Sequence, residues 1–404
     1  MAPSQIRLIR ILLLIYKGDI ILRLNDERVG LGYTINNEKV KVEKWKSCDD
    51  FQVSEIHLNG NTAKFWTEFV GGCGELTFGV LEKIGISTIN AILKIAELIG
   101  IDMELIGYGG LKDAFAHSWQ FITIPGKVHK LFYSNIKFFP IEQRSSPFSS
   151  QESWGNHFWI SLYTQEKQYL KDLFNKVVKE PIPAYYGLQR FGEESVDTHL
   201  IGLYILKKEY TNATKKILEG KWGWYEKVLA ECLKDHDEKN CLKLLPHKLV
   251  KLFINAYQSY IFNKALSKFI CEKYDLFDIR VSFVGVVDKF GLPTKVIPFF
   301  NEKHMRTMVQ NRKAYLLARL AGSEIGKYDD EFSTYELELL ETDGLKPEDF
   351  IDTPCGKIKG SFRPIHFWVE CPKLEEYDEK IMISFKLIRG MYATVFLREF
   401  VEFM

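Results

Sequence analysis

The sequence reads as a mixed α/β chain, because segments whose apolar residues alternate are interleaved with segments whose apolar residues recur at helical spacing. Its composition points the same way: 404 residues, 46% apolar and 26% charged, are globular proportions that bury a core without a metal or disulfide staple. No repeat of roughly 20 to 50 residues and no low-complexity run is present, which excludes solenoids and tails. The length predicts about two or three domains.

The apolar run Ile11 to Tyr16, preceded by Arg7 and Arg10 and closed by Lys17, Gly18 and Asp19, is short, lacks a small-residue cleavage site and reads as a buried strand or helix start. Ser87 to Ile99 sets Ile89, Ile92, Leu93, Ala96 and Ile99 at helical spacing, with Ser87 as N-cap and Gly100 as the stop. Glu104 to Tyr108 follows as a strand. Gly109-Gly110 then forces a turn before Leu111-Lys112-Asp113, and Trp119 to Ile124 resumes as a strand that ends at Pro125-Gly126. Asp113 therefore falls on a connection between strands, where functional residues concentrate. Phe158 to Tyr163 alternates as a strand, Gln165 to Lys179 is an amphipathic helix, and Pro181-Ile182-Pro183 marks a boundary. Beyond it come a lysine-rich stretch from Lys207 to Lys251, a long helix from Leu249 to Phe269 with Phe253, Tyr257, Tyr260 and Phe262, and a strand from Val281 to Val287. Ile381 to Ile388 returns to a core as a strand, and Tyr392 to Phe400 as a helix or a second strand.

Lys plus Arg number 54 and Asp plus Glu 53, a net charge of +1 that argues against coating nucleic acid with the whole surface and leaves room for a local basic groove. That average hides unlike parts: from Glu324 to Asp349 ten acidic residues face two lysines, so this segment should avoid phosphates. The seven cysteines are odd in number, scattered and without a CxxC pair, and read as reduced thiols of a cytosolic protein rather than a disulfide framework or zinc knuckle. No stretch approaches the roughly 18 to 20 apolar residues that span a bilayer.

The phosphate-binding glycine fingerprints, HExxH and GxSxG are all missing, which removes most support for nucleotide-dependent and zinc-dependent reactions. In Tyr108-Gly-Gly-Leu-Lys-Asp-Ala-Phe-Ala-His-Ser-Trp-Gln120 a carboxylate follows a lysine directly after a glycine turn; it could serve as nucleophile or general base, or stand as an ordinary loop residue. Gly155-Asn-His-Phe158, Tyr185 to Gly192 and Ala256 to Asn263 each mix aromatics with amides, and the second adds Arg190. A flat ring can stack on a nucleobase, an amide can read its edge and an arginine can hold a phosphate. The aromatic stripe from Ala256 to Asn263 reads first as core packing, and His157 as structural rather than metal-binding.

Taken together and in order, these segments resemble the tRNA pseudouridine synthase D (TruD) family. Asp50-Phe51-Gln-Val53-Ser-Glu55 resembles its DFxVxE element, and Gly110-Leu-Lys-Asp113 with Ala116 and Gln120 resembles GxKDxxAxxxQ. Gly155-Asn156-His-Phe158 resembles GNxF, Tyr185 to Gly192 resembles YFGxQRFG, and Gly390-Met-Tyr392-Ala-Thr394 with Arg398-Glu399 resembles the carboxy-terminal element. The resemblance implies an RNA pseudouridine synthase acting on tRNA at uridine 13, without a cofactor or metal. Asp113 matches the catalytic aspartate; Phe51, Asn156, Phe158 and Tyr392 match positions lining the uridine pocket, and Lys112 neighbours the nucleophile. The sequence departs at Trp45, where the family has a lysine, with Lys44 and Lys46 on either side. It departs again at Ala184, within Pro183 to Gly187, where the family's PNYFG has an amide.

The resemblance also implies a discontinuous catalytic core, residues 1–182 with 364–404, on a mixed, largely antiparallel sheet. An inserted TRUD domain would occupy residues 183–363, with the RNA cleft between the two. A noncatalytic RNA-binding protein, or a nucleoside or glycoside hydrolase, is the alternative; the latter would need a second carboxylate placed for acid or base work.

Overall fold

A computed structural model describes residues 28–32, 34–192, 197–220, 224–273, 281–327 and 330–404; the run Ile11 to Tyr16 lies outside them. The first group of strands is β1 (Val40–Val42), β2 (Phe51–His57), β3 (Gly71–Gly72), β4 (Leu76–Ile84), β5 (Gly107–Tyr108), β6 (His117–Pro125), β7 (Leu131–Tyr133), β8 (Ile136–Arg144) and β9 (Ser153–Leu162). A middle group follows: β10 (Ile182–Pro183), β11 (Phe283–Val287), β12 (Pro293–Pro298), β13 (Ala314–Arg319), β14 (Phe362–Pro364) and β15 (His366–Phe367). The chain closes with β16 (Glu370–Glu376), β17 (Ile381–Ile388) and β18 (Val401–Phe403).

Two compact units result. One holds Glu38–Ile182, Asp288–Leu292 and Phe367–Met404; the other holds Pro183–Val287, Pro293–His366 and the described residues before Glu38. The first is built on a ten-stranded sheet in the order β16-β17-β9-β2-β6-β4-β8-β3, with β5 added to β6 and β7 to β8. It is mixed: β2 with β6 and β3 with β8 run parallel, and the remaining pairs are antiparallel. Cross-strand partners share a face of a sheet, so the register sets Lys83, Ser118, Val53, Phe158 and Phe385 in one row across β4, β6, β2, β9 and β17. Glu55, Asn156 and Leu387 form a second row on that face.

The helix Thr88–Ile99 covers part of the same face, burying Ile92, Ile95 and Ala96 against Leu81, Ile122 and Phe138. Ser87 caps it by accepting from the Asn90 N–H, and Gly100, at φ 71°, ends it. Further along, Phe385 packs on Phe396 at 4.7 Å and Phe174 of the helix Lys167–Val177 packs on Phe400 at 5.8 Å. The expected strand from Glu104 to Tyr108 shrinks to Gly107–Tyr108, because Asp102 accepts from the Glu104 N–H and winds Met103–Leu105 into a 3-10 turn. Tyr392 to Phe400 resolves into a short helix, Ala393–Leu397, ahead of β18.

The second unit carries a four-stranded sheet, β12-β11-β13-β14, and the long helix His247–Lys273. Phe253, Tyr257, Ile261 and Phe262 of that helix are fully buried, so the aromatic stripe is core. The lysine-rich stretch folds into the helices Tyr210–Leu218, Trp224–Cys232 and Glu238–Leu244 around Ile217, Leu229 and Leu242. The expectation that every cysteine is a reduced thiol is corrected here. Cys232 and Cys241 form a disulfide, because the two helices that bear them bring their Cα atoms to 5.6 Å, within bridging range. The other five cysteines are free.

Candidate active site

Asp113 stands on the connection between β5 and β6, and the surrounding residues hold that connection through its backbone. At Gly109 an added Cβ would stand 2.7 Å from Glu55 Oε1 and 2.8 Å from a ring carbon of Phe148, so the turn passes only without a side chain. Glu55 is buried, and its Oε2 accepts the Phe121 N–H at 2.9 Å. This clasps β2 to β6 beyond their last paired residues, Ser54 and Trp119. Gln120, also buried, reaches the Gly110 carbonyl from Nε2 at 3.4 Å and accepts the Thr88 hydroxyl on Oε1 at 2.7 Å. Thr88 Oγ1 in turn accepts the Lys112 N–H at 2.8 Å.

Beneath the loop lies Lys83, fully buried near the end of β4. Its Nζ donates to the carbonyls of Ile86 at 2.6 Å, Asp113 at 2.8 Å and Lys112 at 3.3 Å. Burial lowers its pKa to about 8, against the attraction of Asp113. Asp113 itself meets solvent, while burial by the protein on its other sides raises its carboxyl pKa and Lys83 and then Lys112 pull it back. An accessible carboxylate whose pKa the protein raises is a candidate functional group. Among the described residues no hydrogen bond or ion pair closes on that carboxylate. Lys83 and Thr88 were not among the residues singled out from sequence. A signal existed, since the consecutive charges Glu82 and Lys83 in the apolar strand Leu76 to Ile84 must point to opposite faces.

Of the other expected site residues, Phe51, Asn156 and Phe158 share the sheet face with Lys83. Phe51 and Phe158 are buried with ring centroids 6.1 Å apart, and Phe158 stacks on Phe385 at 5.4 Å. Asn156 lies opposite Glu55 in the register, and its Oδ1 is buried without a hydrogen-bond partner among the described residues. Its neighbour Gly155 is demanded by close approach, for an added Cβ would stand 2.0 Å from the Leu387 carbonyl. Tyr392 is the half-buried N-cap of the helix Ala393–Leu397, with its carbonyl receiving the Val395 and Phe396 N–H groups at 3.2 and 3.3 Å.

Several other motif residues make contacts within the fold. Asp50 is buried and accepts from the Lys46 and Ser47 N–H groups at 3.0 Å and from the Tyr163 hydroxyl at 2.8 Å. Burial pushes its pKa up, but these hydrogen bonds prevail and hold it below the usual carboxylate value. Trp45 packs its ring 4.7 Å from Phe51 and 4.9 Å from Phe403. Lys46 pairs with Glu43 at 3.3 Å and lies 4.0 Å over the Tyr163 ring, and Lys44 is exposed. Arg190 Nε donates to Ser259 Oγ at 3.2 Å. His157 stacks on Trp159 at 3.8 Å, and burial, with Lys386, Lys64 and Lys373 adding to it, lowers its pKa to about 4. Among the described residues no group of three or more His, Cys, Asp or Glu side chains is arranged to hold a metal ion.

Comparison with known proteins bears on what such a site does. The family model of tRNA pseudouridine synthase D (TruD) matches residues 31–223 and 219–400. A Methanopyrus kandleri protein is 27% identical over 371 residues, covering 81% of this chain and 86% of its own. A Thermococcus sibiricus protein is 29% identical over 379 residues, covering 80% and 88%, and an Archaeoglobus fulgidus protein is 27% identical over 430 residues, covering 93% and 99%. All three carry the name tRNA pseudouridine synthase D, qualified as probable. A solved Methanosarcina mazei structure of the same designation shares the fold at a TM-score of 0.68, with 21% identity over 93% of this chain and 97% of that one.

Proposed function

The chain belongs to the tRNA pseudouridine synthase D family, and from that membership we propose that it converts one uridine of tRNA, at position 13, to pseudouridine with Asp113 as nucleophile. As a tRNA pseudouridine synthase it is an isomerase. The reaction breaks the N1–C1′ bond of uridine, turns the uracil and joins its C5 to C1′. The C5 proton leaves and N1 gains one, so the balance needs no oxidant, reductant or cofactor.

The observation that carries the reading is the Asp113 carboxylate, accessible and unbonded among the described residues, on a loop whose backbone is otherwise tied down. An immobilised loop with a free carboxylate supplies orientation, which is worth several orders of magnitude in rate. Asn156 Oδ1, a buried acceptor without a partner, supports a role in receiving the uracil N3–H, since an unpaired buried acceptor costs about 1–3 kcal/mol until a donor arrives. Phe51 and Phe158 form an apolar wall for the detached base, and Tyr392 and Lys112 complete the set. Because the uridine must leave its stack first, such a wall offsets part of an unstacking cost of a few kcal/mol. With tRNA as partner the reaction belongs to the cytoplasm; no helix of the described residues is long and apolar enough to cross a membrane.

Transfer RNA labelled with tritium at C5 of uridine tests this reading. The wild type releases tritium to water and leaves the base in the chain, whereas Asp113→Asn folds, binds tRNA and releases none. Normal release by Asp113→Asn removes Asp113 from the role. Free labelled base would indicate a hydrolase instead, and tRNA binding without release a noncatalytic binder.

A further inference from the structure

We infer that Lys83 is a positioning residue for this reaction, its buried ammonium fixing the loop that presents Asp113; the inference rests on Asp113 being the nucleophile. Lys83 shares its cross-strand row with Phe158, so its side chain rises on the face that carries the expected uridine pocket. All three ammonium donors find backbone carbonyls, and these belong to two separate segments: Ile86 in the turn after β4, and Lys112 and Asp113 in the loop after Gly109-Gly110. The contact thus joins the turn that launches the helix Thr88–Ile99 to the catalytic loop.

The choice of acceptors matters. A buried lysine usually closes on a carboxylate, but Lys83 bonds the backbone carbonyl of Asp113, and among the described residues the carboxylate stays unbonded. Its charge still acts on that carboxylate from below, ahead of Lys112 in effect, and opposes the upward push of burial on its pKa. The carboxylate is therefore drawn toward its charged form without being capped. A methionine of similar length would strand three carbonyls, and a serine or threonine is too short to reach two segments.

The experiment measures single-turnover pseudouridine formation from pH 5 to 10, with tRNA affinity measured separately. The set is the wild type, Lys83→Met, Lys112→Met and Asp113→Asn. Lys83→Met should lower the rate at pH 7 by about 100-fold, the cost of a loop displaced by roughly an ångström, with tRNA affinity unchanged. Its acid limb should also move to higher pH, further than in Lys112→Met, because the larger of the two positive influences on Asp113 is gone. A purely structural lysine would not move that limb. A folded Lys83→Met with wild-type rate and acid limb overturns the inference. Should Lys83→Met not fold, the wild type decides. Its rate should fall as pH rises through about 8, where Lys83 loses its proton, and a flat profile from pH 7 to 9 overturns the inference. An active Asp113→Asn removes the nucleophile reading itself; an inactive one beside an unimpaired Lys83→Met removes only the role of Lys83.

Discussion

Asn156 and Asn263 sit in two motif segments of similar composition, one in each compact unit, and their side chains are used in opposite ways. Asn263 is fully buried: its Oδ1 accepts the Tyr186 N–H at 2.8 Å, and its Nδ2 donates to the carbonyls of Val29 and Tyr186 at 3.0 Å each. Nothing is left to offer a ligand. Asn156 keeps a buried Oδ1 unbonded among the described residues, on a sheet face that also carries Lys83 and Phe158. An amide whose bonds are all made to backbone holds a fold together. One with an acceptor held out of water and unused stores affinity for a donor still to come.

The comparison breaks most sharply at Asn156. Asn156→Ala should lower single-turnover isomerisation by about 100- to 1000-fold, the usual effect of removing one aligned hydrogen-bonding group from a site, while the melting temperature stays level. An unaltered rate would place the asparagine with Asn263 as a structural residue. Asn263→Ala should do the reverse. It should cost about 1–3 kcal/mol in urea unfolding, because three backbone groups lose a partner, yet leave the rate per folded molecule unchanged.

A pH titration sharpens the same contrast. In the proposed mechanism the nucleophile is the carboxylate of Asp113, whose pKa is raised above its ordinary value. Activity should therefore fall about tenfold per pH unit below an acid limb lying above that of a free aspartate. The same shift has a sign for stability. A raised folded-state pKa gives stability that is complete below the unfolded value of 3.8 and is lost as pH rises through the folded value. Above the folded-state pKa the ionised Asp113 is a burden on the fold, and there Asp113→Asn should melt higher than the wild type. The smallest effect belongs to Arg190→Ala. Loss of its bond to Ser259 should cost about 0.5–1.5 kcal/mol, and tRNA affinity should hold, since this arginine is engaged within its own unit. A fall in affinity would return Arg190 to phosphate binding.

The disulfide adds a second contrast between regions. Cys232 and Cys241 close a short link between two helices of one unit, while Cys48 and Cys73, in the unit that bears Asp113, are free. Reduction should thus act on the helical cluster around Leu229 and Leu242 and leave the Asp113 loop untouched.

What the sequence determined by itself is local and periodic. Ser87 and Gly100 bracket a helix whose apolar spacing defines its buried side, and Ile381 to Ile388 alternates along the whole of β17. The ordered motifs drew attention to Asp113, Asn156 and Phe158 without any knowledge of contacts. Tertiary structure alone decided which of the motif residues have bonds to spare. Lys83 and Asp113 are thirty positions apart, and only the pairing of β4 with β6 brings the ammonium under the loop. Glu55 and Phe121 are joined across sixty-six positions by the parallel pairing of β2 with β6. Spacing along a chain fixes the period of an element, whereas the exhaustion of a donor or acceptor depends on sheet register, and register is settled by the whole core packing at once.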